Sequence, residues 1–73
     1  MDWVAIEKRL ALVEKHIIEG EQYLIRQRLL IERLERKKHD TLEARRFLAQ
    51  FEEMQADRIA NRDRLRKELT KVC

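Results

Sequence analysis

One spacing constrains this chain more than any other feature. Trp3, Ile6, Leu10, Val13, Ile17, Gly20, Leu24, Gln27, Ile31 and Leu34 follow one another at alternating three- and four-residue steps, and eight of the ten are apolar. That pattern is a heptad seam, in which one stripe of a long helix faces another helix along its whole length. It predicts an all-α protein and says little about chemistry.

Size and composition fit that reading. The chain has 73 residues, no proline and one glycine, and 42% of its residues are charged. Below about 80 residues a single core seldom supplies more than about 3–5 kcal/mol, so small domains add disulfides, metals or oligomerisation. One cysteine, Cys73, excludes an internal disulfide. No cluster of metal ligands is visible, and no cofactor is expected. His16 and His39 lack ligating neighbours, and the single His16-x-x-Glu19 runs opposite to the Glu-x-x-His of di-iron bundles. Oligomerisation is the support that remains.

The first helix is expected from Asp2, an N-cap, to about Lys37. Arg36, Lys37 and Lys38 are cations at its C-terminal end, where the carbonyls carry partial negative charge. Asp40 followed by Glu43 resembles a capping box. A turn at 38–40 and a second helix over about 41–71 are therefore predicted. The alternative is one uninterrupted helix of about 100 Å. Charge favours the hairpin. Residues 1–21 and 22–39 carry net charges of −2 and +4, and residues 40–57 and 58–73 carry −3 and +4. Folding near residue 39 sets each negative quarter beside a positive one.

The second seam is expected to use Ala44, Phe47, Leu48, Phe51, Met54, Gln55, Arg58, Arg62, Leu65, Leu69 and Val72. In that register Gly20 faces Arg58, Ile17 faces Arg62 and Gln27 faces Phe51. Gly20, Gln27, Gln55, Arg58 and Arg62 make a polar layer in the middle of the seam. Polar seam positions cost stability but select one alignment. Glu19 or Glu21 is expected to pair with Arg58.

Both helices carry a further apolar stripe. Val4, Ala11, Ile18 and Ile25 recur every seven residues in the first. Leu42, Ala49 and Ala56, with Ile59 and Ala60, do so in the second. Antiparallel packing brings the two stripes to the same side. They are expected to form one apolar face through which two hairpins pair as a homodimeric four-helix bundle.

The net charge of +3 is mildly basic. Arg58, Arg62, Arg64, Arg66, Lys67 and Lys71 form the densest cationic stretch, and a small nucleic-acid-associated protein is the alternative reading. No aromatic platform for stacked bases accompanies them. No membrane span, signal peptide, nucleophile triad or phosphate loop is recognisable. The expectation is a cytoplasmic, non-enzymatic interaction protein, with a protein partner besides its own copy left open.

Glu19-Gly20-Glu21, Arg26-Gln27 through Leu30-Ile31, His39-Asp40-Thr41 through Arg46, Phe51-Glu52-Glu53 and Arg62-Asp63-Arg64-Leu65 resemble stretches of short uncharacterised bacterial proteins, mostly from alphaproteobacteria. The resemblance covers about residues 16–69 and implies a helical protein without an assigned activity. It implies glycine at the position of Lys38 and histidine near Arg58.

Overall fold

The computed structural model describes residues 2–72, Val72 by its backbone alone. Cys73 and the side chain of Val72, expected as a seam residue, lie outside the described residues. Two helices, α1 (Trp3–Arg36) and α2 (Leu42–Val72), pack antiparallel as a hairpin. Its Cα trace measures 54 × 15 × 13 Å. The helix ends fall within a residue or so of the expected ones.

Each end has a local cause. Asp2 caps α1, its Oδ1 accepting a hydrogen bond from the Val4 N–H at 3.1 Å. At the other end the Lys38 N–H reaches the Glu35 carbonyl and the His39 N–H the Leu34 carbonyl, both at 2.9 Å. Those two bonds make a Schellman motif, which stops the helix by turning one residue left-handed. That residue is Lys38, at φ 63°. Asp40 Oδ1 then accepts from the Leu42 N–H at 3.0 Å. The Thr41 carbonyl takes the first helical bond, from the Arg45 N–H. The capping box expected from Asp40 and Glu43 is thus replaced by an Asp40 turn ahead of a Thr41 cap. Thr41 is buried, and its hydroxyl accepts from Arg45 Nε at 3.1 Å.

The α1 seam packs as its spacing predicts. Ile6, Ile17, Gly20, Leu24 and Ile31 are buried, and Leu10, Val13, Gln27 and Leu34 are half-buried. Trp3, at the start of α1, is 49% exposed. In α2 the seam is narrower than expected. Thr41, Ala44, Leu48, Phe51, Gln55, Arg58, Arg62, Leu65 and Leu69 are all buried or half-buried, again at three- and four-residue steps. Phe47 and Met54 are exposed, Phe47 by 73%. A two-helix contact admits only two positions per heptad. Leu48 and Gln55 fill those slots, so the residues just before them fall on the flank.

A lysine held left-handed is strained by the approach of its Cβ to the following carbonyl. Lys38→Gly is therefore expected to raise stability by about 1 kcal/mol. Thermal denaturation measures it, and an unchanged or lower Tm contradicts the assigned turn.

Candidate interaction surface

The middle of the seam is where the two helices recognise each other. Gln55 is buried, and its Nε2 donates a 2.7 Å hydrogen bond to the Ile17 carbonyl on α1. The amide lies against Gly20. A Cβ at position 20 would stand 2.9 Å from Gln55 Cδ and closer still to its Oε1. Gly20 is thus a notch that lets a polar side chain lie flat on the opposing backbone. Among the described residues no buried side-chain nitrogen or oxygen lacks a partner, so the layer is polar without being unsatisfied.

This corrects the expected register detail. Gln55, three residues earlier on α2, occupies the notch assigned to Arg58. The reason is charge. Arg58 cannot enter a narrow seam without losing water, and a buried unpaired guanidinium is costly. It is half-buried instead, with its guanidinium 5.7 Å from the Phe51 ring centroid and a long 3.5 Å contact to Gln55 Oε1. No ion pair joins it to Glu19 or Glu21 among the described residues. Arg62 is half-buried and pairs with its neighbour Asp63 at 3.1 Å. Phe51 packs on Tyr23, with centroids 4.5 Å apart, an aromatic contact the seam pattern leaves out.

Beside the seam runs a line of charge. Glu35 pairs with Arg45, Arg28 with Glu52 at 3.6 Å, and Glu14 with Arg66 at 3.0 Å. On α1 these residues occupy one heptad position, seven or fourteen apart, and likewise on α2. They form a ladder of interhelical ion pairs along one side of the hairpin. One rung is missing, where Glu21 and Ile59 take the corresponding positions. There the surface opens into a groove of about 340 Å³, lined by Glu21, Leu24, Ile25, Arg28, Gln55 and Ile59.

The predicted assembly stripes flank this ladder. Val4, Ala11, Ile18, Ile25, Leu42, Ala49, Ala56 and Ala60 are all exposed, with Ile18 and Ile25 at 58% and 55%. Ile59 is half-buried. The expected single apolar face is therefore two apolar strips with charged rungs between them, and only the groove joins Ile25 to Ile59. Sequence reasoning missed the ladder. Its signal was present in the seven-residue recurrence of Glu14, Glu21, Arg28 and Glu35 against Arg45, Glu52, Ile59 and Arg66.

The cationic end is partly engaged. Arg58, Arg62 and Arg66 contact Phe51, Asp63 and Glu14, whereas Arg64, Lys67 and Lys71 are exposed and carry no ion pair among the described residues. Among the described residues no three His, Cys, Asp or Glu side chains converge on a metal position, and no helix is long and apolar enough to cross a membrane.

No protein family, curated protein or solved structure matches the chain.

The notch makes a quantitative prediction. Gly20→Ala gains about 1 kcal/mol of helix propensity but displaces the Gln55 amide from a buried hydrogen bond worth about 1–3 kcal/mol when broken. It is expected to destabilise the wild-type chain by about 1 kcal/mol and to stabilise a Gln55→Ala chain. A double-mutant cycle by urea denaturation reads the sign reversal. The same sign in both backgrounds contradicts the assigned contact.

Proposed function

We propose that this chain is a structural or interaction protein, a helical hairpin that self-associates as a dimeric four-helix bundle, without catalytic activity and able to serve as a protein–protein adaptor. One observation carries the reading. Among the described residues the two-helix core holds Ile6, Ile17, Leu24, Ile31 and Leu65 as its only buried hydrophobic residues, while two apolar strips stand in solvent on one side. Exposed strips of this length are interaction surfaces more often than ornaments of a monomer. A hairpin with so thin a core gains from covering them. A cytoplasmic location goes with this reading, because a single cysteine provides no internal disulfide.

Gel filtration with light scattering tests the proposal. The chain has a mass of 9.0 kDa, and twice that mass is expected at tens of micromolar. A monomer there contradicts it. The second reading, binding to nucleic acid, draws on exposed Arg64, Lys67 and Lys71. It requires affinity for a DNA duplex that is measurable at low salt and falls as salt rises. No binding at low salt removes it.

A further inference from the structure

We infer that the second copy docks on the ladder side about a two-fold axis parallel to the hairpin, so that both turns lie at one end and α1 of each chain runs along α2 of the other. This rests on the self-association proposed above and adds the face and the orientation.

Three features of the exposed surface select that axis. The first is the ladder. A two-fold parallel to the hairpin keeps every residue at its own height, so each rung meets its own image reversed. Glu35 comes opposite Arg45 of the second copy, Arg28 opposite its Glu52, and Glu14 opposite its Arg66. Every rung closes into a ring of alternating acids and bases, each charge flanked by opposite ones. A two-fold perpendicular to the hairpin, through the missing rung, still sets Arg28 against Glu14 and Glu52 against Arg66 of the second copy, but it puts Glu35 against its Glu7, acid on acid, so fewer rungs are matched.

The second feature is size. The middle of the strip on α1 is built of large residues, Ile18 and Ile25, both more than half exposed. The strip on α2 has Leu42 at the turn end and then only small residues, Ala49, Ala56 and Ala60, also exposed. The parallel axis places large against small along the middle of the contact, the interdigitation that helix packing favours. The perpendicular axis places large on large along one edge and small on small along the other.

The third feature is the outer rim. With Gly20 level with Gln55, Lys15 is level with Ala60 and about 4.5 Å, three residues, from the height of Asp63. Glu32 stands in the same relation to Arg46. All four are exposed. Under the parallel axis Lys15 meets Asp63 of the second copy and Glu32 meets its Arg46. The groove at the missing rung then faces its own image, and the Ile25 and Ile59 side chains of both copies close it. The opposite flank, where Phe47 and Met54 stand exposed, carries no interhelical ion pair among the described residues.

Cross-linking and charge exchange test the inference in the full chain carrying Cys73→Ser. Ile18→Cys and Ala56→Cys chains, mixed and oxidised, are expected to form a mixed disulfide well in excess of either homodimeric one, because that pair stands within one residue of the same height on facing helices, near the 4.4–6.8 Å Cα spacing a disulfide needs. Lys15→Asp is expected to weaken the dimer roughly tenfold through two like-charge contacts, and Asp63→Lys in the same chain to restore it. A predominant Ile18–Ile18 cross-link in a protein of dimer mass overturns the orientation and leaves self-association standing. Loss of the dimer on Phe47→Ser with none on Lys15→Asp overturns the face. A monomeric mass in the unsubstituted chain overturns both readings.

Discussion

The Gln55 amide seated in the Gly20 notch is the contact on which the rest of the hairpin depends. A heptad seam is nearly degenerate under a slip of seven residues, because apolar positions recur with that period. The same slip sets like charges together on the ladder, Arg28 on Arg45 and Glu21 on Glu52 in one direction and Glu35 on Glu52 in the other, but exposed pairs of this kind cost little each. What breaks the degeneracy is a place where only one partner fits. The chain has a single glycine, and the side chain that lies against it also bonds the Ile17 carbonyl at 2.7 Å. A slip would leave an amide buried against aliphatic side chains and a gap at the glycine, each costing about 1–3 kcal/mol.

Once that register is set, the surface follows. Glu14, Arg28 and Glu35 find Arg66, Glu52 and Arg45, and Glu21 is left beside Ile59. The pairs are exposed, and each is worth about 0–1 kcal/mol, so they tune the alignment rather than create it. Their larger consequence is for assembly. They turn what composition suggests is a continuous greasy face into two strips with a patterned charged line between, and a patterned line discriminates between orientations where a greasy face would not.

Much of this was legible in the residues. The α1 seam could be read directly, because one apolar residue every three or four steps stands out against a strongly charged background. The turn announced itself through Asp40 and the basic residues before it, although the left-handed residue is Lys38 where glycine is the easier choice. The α2 seam was harder. Phe47 and Met54 are apolar and adjacent to Leu48 and Gln55, and a hydrophobic count alone ranks Phe47 above Gln55 for burial. The structure reverses that ranking, since a satisfied amide can be buried in a narrow seam while a ring one position away has no partner helix to cover it. Arg58 was misplaced for the related reason that sequence spacing does not reveal which polar seam residue can shed its water.

The most direct measurement is the nuclear Overhauser contact between the Gly20 α-protons and the Gln55 side-chain amide in the labelled, unsubstituted protein. A register pinned at the notch predicts a strong cross-peak between them, with slowed solvent exchange of the Gln55 amide. Cross-peaks from Gly20 to Arg58 alone, or no interhelical cross-peak at Gly20, would contradict it.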